Sequence, residues 1–230
     1  MTKIFCDIAD ISLIKKFNKK SFIEGFTTNP SLMRKAGAKD YSKYCKNILK
    51  ITKKPISFEV FADDNKNIIK QALKIKEWGK QVYVKVPVTN SKGIFLGKAI
   101  SYLNKENIKL NITAVYTAKQ TSRILKRINK KTKVIISIFA GRMADKGIDP
   151  LPEFKKSIMF AKKYKNVSIL WASVREPYNY VQAKQLRCHT ITIPPQIIEK
   201  IEKFGKSFKA LTIDTVKAFL EDSRKSKFKI

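Results

Sequence analysis

The stretch Val82-Tyr83-Val84-Lys85-Val86-Pro87-Val88-Thr89 sets four valines on one side of an extended chain and Tyr83, Lys85, Pro87 and Thr89 on the other. A run so nearly continuous in apolar residues fits a parallel strand covered on both faces. Lys85 then lies where water is scarce. Burial disfavours an ammonium and lowers its pKa, leaving more of the neutral amine that attacks a ketone to form a Schiff base. The bland alternative is that in a chain with 42 Lys one of them lands in a strand by chance and snorkels from a sheet edge. The rest of the chain decides between the two.

Short apolar runs recur at residues 4–9, 22–28, 56–62, 82–88, 108–115, 134–140, 167–173 and 190–193. Between them lie segments with apolar spacings of three and four, such as Ile68, Ile69, Ala72 and Leu73 behind the acidic pair Asp63-Asp64. Residues 93–106, 117–128, 151–164 and 195–204 have the same helical spacing. Strand alternating with helix eight times in 230 residues predicts an α/β chain folded as one closed (β/α)8 TIM barrel domain over residues 1–230. The alternative is a doubly wound open sheet, which usually has fewer strands and a glycine-rich first turn; the sequence has neither G-x-G-x-x-G nor a Walker motif. An extra C-terminal helix is expected over 208–221. Its stripe of Leu211, Val216, Phe219 and Leu220 either caps the barrel or packs on another subunit, and residues 223–230 are expected to fray.

The net charge of +31 invites a nucleic-acid or membrane-surface function. Its make-up argues otherwise. Only 7 of the basic residues are Arg, and the lysines are scattered over every predicted helix, so no specific nucleic-acid partner is expected and the charge is read as solvated surface. Cys6, Cys45 and Cys188 are odd in number and unspaced for a metal, and the single His189 is read as structural. No apolar run approaches membrane-spanning length, so a cytoplasmic protein without a membrane partner is expected.

In a barrel of this kind chemistry gathers at the C-terminal ends of the strands. Polar residues fall there repeatedly: Asp7, then Thr27, Thr28 and Asn29, Glu59, Lys85, Asn111 and Thr113, Ser137 and Arg142, and Ser173 with Arg175. Thr27 or Asn29 could instead cap the helix that Pro30 begins. Taken together, a lysine nucleophile, two carboxylates whose pKa values partial burial can raise, and two arginines suited to a phosphate imply a phosphorylated carbonyl substrate.

These residues resemble the transaldolase family, in its short form. The resemblance rests on Asp7, Thr27-Thr28-Asn29-Pro30-Ser31-Leu32, Phe58-Glu59-Val60, the lysine strand, Leu110-Asn111-Ile112-Thr113, Ser137-Ile138-Phe139-Ala140-Gly141-Arg142 and Ala172-Ser173-Val174-Arg175. It implies transfer of a dihydroxyacetone unit between sugar phosphates in the pentose phosphate pathway, with Lys85 as the Schiff base, Asp7 as the acid and base at the broken bond, and Glu59 with Thr113 relaying protons through a water. It further implies that Thr27, Asn29, Asn111, Ser137 and Phe139 surround the bound unit, that Arg142, Ser173 and Arg175 hold the phosphate, that no metal or organic cofactor takes part, and that the chain forms a homo-oligomer, a pentamer or decamer. The similar fructose 6-phosphate aldolases, which release free dihydroxyacetone, have glutamine where this chain has Glu59 and tyrosine where it has Phe139. Ile138, Met143, Val174 and the bulky Ile169-Leu170-Trp171 depart from the usual pattern and bear on the shape of the pocket.

Overall fold

Eight parallel strands close on themselves in chain order: β1 (Lys3–Asp7), β2 (Ile23–Thr27), β3 (Ile56–Glu59), β4 (Val82–Pro87), β5 (Leu110–Val115), β6 (Val134–Phe139), β7 (Val167–Ala172) and β8 (Thr190–Ile193), with β8 pairing back onto β1. This is a computed structural model, and it describes residues 1–227. The helices around the strands are α1 (Ile11–Asn18), α2 (Pro30–Lys35), α3 (Tyr41–Ile51), α4 (Asn65–Lys76), α5 (Gly97–Lys105), α6 (Ala118–Leu125), α7 (Ala140–Ala144), α8 (Leu151–Ala161), α9 (Tyr178–Gln185), α10 (Pro195–Ile201) and α11 (Phe208–Ser226). The (β/α)8 barrel expected from the alternation is the fold, with an additional C-terminal helix.

Local chemistry explains the helix starts. Asp10, Asp40 and Asp64 each accept a hydrogen bond from the backbone N–H three residues on, and Thr117 with Gln120 forms a reciprocal capping box. The strands bury two different faces. Val82, Val84, Val86 and Val88 join the large core between sheet and helices, whereas Tyr83 belongs to a second cluster, with Phe5, Ile135, Leu170 and Ala172, inside the barrel. That inner cluster is a dry plug. Gly25 makes room for it: a Cβ there would lie 2.6 Å from the Phe5 ring.

Several boundaries differ from the sequence patterns. The third strand ends at Glu59, short of the expected 62, and the helix expected from 93 starts at Gly97 because Gly93, at φ 75°, closes a turn between Asn90 and Ile94. The patterns leave α1, α3, α7 and α9 unassigned; α9 buries only Ala183, too little to register as a stripe. At the C-terminus α11 runs on through Ser226, so residues 223–226 are helical and not frayed, and the remainder of that expectation falls on residues 228–230, outside those described. Nor does α11 cap the barrel. None of its residues is buried, and Leu211, Val216, Phe219 and Leu220 are all at least 48% exposed.

Gly25→Ala is expected to destabilise the fold by about 1–3 kcal/mol through overpacking. Shrinking the plug with Phe5→Leu in the same chain is expected to recover part of the loss, giving non-additive midpoints in urea unfolding.

Candidate active site

The register of the barrel dictates which polar side chains meet. Parallel pairing sets Asp7 beside Thr27, Glu59 beside Lys85, Lys85 beside Asn111, and Pro87 beside Thr113. All of these lie on the inner face, toward the C-terminal end. Most of them line a cavity of about 180 Å³ whose walls include Asp7, Thr27, Asn29, Lys85, Asn111, Thr113, Ser137, Phe139, Arg142, Ser173 and Arg175. Glu59, outside those walls, meets Lys85 at its base.

Lys85 is 8% exposed, and its ammonium is held 3.0 Å from Glu59 Oε2 and donates to the Thr28 carbonyl at 3.1 Å. The sequence reading expects a lysine short of water at a rim that also carries Asp7 and Glu59; the structure encloses it there, while Tyr83 on the same side of β4 joins the plug and the valines pack toward the helices. Removing one partner of so enclosed a pair leaves a charge uncompensated, at a cost of about 3–5 kcal/mol.

Asp7 accepts a 2.6 Å hydrogen bond from Thr27 Oγ1, which lies 2.6 Å from Thr192 Oγ1. Burial pushes the Asp7 carboxyl above its ordinary range; the Thr27 hydrogen bond and the charge of Lys85 oppose the rise without cancelling it. A second chain of bonds crosses from β6 to β3: Ser137 donates to Asn111 Oδ1 at 2.7 Å, and Asn111 Nδ2 donates to Ser57 Oγ at 3.0 Å. Thr113 Oγ1 is buried with no partner among the described residues, next to Ala114, whose φ of 58° marks the point where the β5–β6 register slips. Asn29 caps α2, accepting from the Leu32 N–H at 2.9 Å, and lines the cavity as well. Both readings of that residue apply.

Two arginines close one side. Arg142 lies over the Phe139 ring at 5.3 Å, and Arg175 donates from Nε (3.1 Å) and Nη2 (2.6 Å) to Asp145. They converge because Gly141 has no side chain: a Cβ there would fall 1.7 Å from the Ser173 carbonyl oxygen and 2.9 Å from Arg175 Cγ. Ser173 itself has φ 64°. His189 accepts from the Ile169 N–H through Nδ1, and burial lowers its pKa, in keeping with a structural part. Among the described residues no helix is long and apolar enough to cross a membrane.

The sequence reading missed Thr192, Ser57 and Asp145. Thr192 had a usable signal, since Thr190 and Thr192 alternate with Ile191 and Ile193 in the eighth strand. Ser57 likewise shares the parity of Glu59 in the third. Asp145, exposed on the turn after α7, had none.

A closed parallel barrel with a buried, ion-paired lysine and a nearby carboxylate in one cavity is the arrangement of a barrel enzyme acting on small molecules. The comparisons narrow that class. The profile described as Transaldolase/Fructose-6-phosphate aldolase matches residues 4–230. Among curated relatives, the chain is 33% identical to the "Probable transaldolase" of Thermoanaerobacter sp. (strain X514), over 99% of this chain and 100% of that one. It is 33% identical to the protein of the same name from Methanococcus vannielii, over 96% of both, and 34% identical to that of Thermoplasma volcanium, over 97% of this chain and 96% of the relative. The chain belongs to the transaldolase/fructose-6-phosphate aldolase family.

Asp7→Asn tests the partly buried carboxylate. Because the folded state raises its pKa, the unfolded chain ionises first as pH climbs past about 4, and folding then bears a penalty that grows until the folded group ionises too. The substitution should therefore raise Tm by a few degrees at pH 7, with the gain fading as pH falls toward about 4.

Proposed function

We propose that the chain is a transaldolase, moving a dihydroxyacetone unit from sedoheptulose 7-phosphate or fructose 6-phosphate to an aldehyde phosphate acceptor through a Schiff base on Lys85. The observation that carries this reading is the buried Lys85, paired with Glu59 and sharing its cavity with Asp7. Family membership supplies the reaction class; the roles that follow are our own reading.

Lys85 passes a proton to Glu59, and the free amine attacks the donor's keto carbon. The carbinolamine loses its hydroxyl as water, taking a proton from Glu59, with the unpartnered Thr113 hydroxyl orienting the exchange. The iminium then withdraws electrons from the C3–C4 bond while Asp7 takes the C4 hydroxyl proton, and the aldehyde leaves. An acceptor aldehyde enters, the enamine adds to it, and Asp7 returns the proton; water then adds to the new iminium, giving its proton to Glu59, and the carbinolamine collapses to release the product ketose and Lys85. A carboxylate with a raised pKa suits a group that accepts and gives back one proton in each half-reaction.

Asn29, Asn111 and Ser137 hold the hydroxyls of the three-carbon unit, and Thr27 fixes Asp7. Arg142 and Ser173 hold the phosphate with Arg175, whose Nη1 side is left to meet it while Asp145 holds Nε and Nη2. Phe139 has no hydroxyl to place a water against the enamine, and its ring packs against Arg142 and, at 6.0 Å, Tyr116. That wall favours transfer over release. We also assign the uncovered apolar face of α11, with Phe208 at 89% exposure, to contact with another copy of the chain.

Borohydride trapping with fructose 6-phosphate should leave a three-carbon adduct on the peptide bearing Lys85, with turnover only when erythrose 4-phosphate or glyceraldehyde 3-phosphate is present. Dihydroxyacetone accumulating without acceptor would make the chain an aldolase instead, and no adduct on Lys85 would sink the Schiff-base reading. Phe139→Tyr is expected to raise the ratio of released to transferred dihydroxyacetone roughly tenfold, the scale of one hydrogen bond at the reacting centre. Deletion from residue 207 onward should shift the size-exclusion profile toward the monomer; a profile that stays multimeric removes α11 from the contact.

A further inference from the structure

The barrel has a second polar cavity, at its N-terminal mouth, that shares no residue with the first. It measures about 440 Å³ and is floored by residues two positions upstream of the inner plug and the catalytic cavity on the same strand faces: Tyr83 before Lys85, Ser168 before Leu170 and Thr190 before Thr192. Tyr83 is 9% exposed and Thr190 2%. None of the three hydroxyls has a hydrogen-bond partner among the described residues. A single idle hydroxyl at a strand end would mean little; three open to one basin from three strands are a set of groups free to donate to a ligand.

The rim has the same bias. Lys131, Lys133 and Lys165 line it without an ion-pair partner among the described residues, and its one carboxylate, Glu24, is engaged with Lys3 at 3.1 Å. Ammonium groups above and hydroxyls below present donors and positive charge to one volume, which matches the acceptor-only, multiply charged oxygens of a phosphate chain. The lysines alone would not carry this, because lysine is abundant over the whole surface. The three hydroxyls, without a partner among the described residues and open to the basin, set it apart. A single-stranded nucleic acid fits it poorly, since Phe5 and Tyr83, the aromatic residues lining the basin, are packed into the plug and offer no face for a base to stack on. We propose that the N-terminal mouth of the barrel binds a small oligophosphate anion, with the Tyr83, Ser168 and Thr190 hydroxyls and the Lys131, Lys133 and Lys165 ammonium groups as its ligands.

The test is calorimetric titration of the full chain with inorganic tripolyphosphate and, separately, with ATP, at about 0.15 M salt so that diffuse attraction is screened. One ion should bind per chain, and Tyr83→Phe and Thr190→Val, which change no charge, should each weaken binding about tenfold. The double variant Lys66→Gln/Lys70→Gln, at the start of α4 beyond the C-terminal end of β3, should leave affinity unchanged. Equal affinity for both probes would mean that the phosphate chain is what is recognised, and tighter binding of ATP that a nucleotide is its source. Native-like Tyr83→Phe and Thr190→Val chains that bind as the wild type does would overturn the proposal. So would a loss in the remote lysine variant as large as theirs, a loss of binding in Arg142→Gln/Arg175→Gln, which would put the anion in the other cavity, or binding of long RNA with none of either probe.

Discussion

The strand register of the closed barrel is the constraint on which the rest depends. Because side chains alternate strictly along a strand, a slip of one residue between β3 and β4 would send either Glu59 or Lys85 out among the helices, where the valines now sit. The pair is held at 3.0 Å by backbone pairing more than by its own attraction. The same holds for Asp7 and Thr27. The valine face, buried against the helices, resists such a slip through hydrophobic burial, so the apolar half of each strand aligns the polar half.

That arrangement stores unfavourable terms at one rim. Burial raises the Asp7 pKa, Thr113 keeps a buried hydroxyl without a partner among the described residues, and Ala114 and Ser173 take positive φ with ordinary side chains. Such terms persist only where the surroundings over-determine them. Here the surroundings are the outer core, where Val84, Ile112, Ile136 and Ile169 are fully buried, and the inner plug below the site.

The barrel was legible in the sequence because its strands, covered on both faces, appear as apolar runs that surface loops do not imitate. The positions of Lys85, Glu59 and Asn111 were legible for the same reason: a polar residue stands out in an apolar run. Asp145 and the short α7 were not, since exposed polar residues look alike in sequence whatever they bond. The particular partners of Lys85 could not be read either. Alternation places the lysine opposite the valines, but only closure of the sheet turns that side into a polar interior that supplies Glu59 and the Thr28 carbonyl. Nor does sequence reveal that Gly141 is a spacer, because the atom it avoids belongs to Ser173, on a different strand exit.

The inner plug also closes one end of the candidate site. Phe5, Tyr83, Ile135 and Leu170 fill the barrel axis beneath the cavity that Asp7 lines, so that cavity opens at the C-terminal mouth. In the reaction proposed above, the departing aldehyde would carry the phosphate away, so the mouth would reopen while Asp7 holds its proton. A barrel blocked at one end would thus make donor, leaving aldehyde and acceptor take turns at one opening.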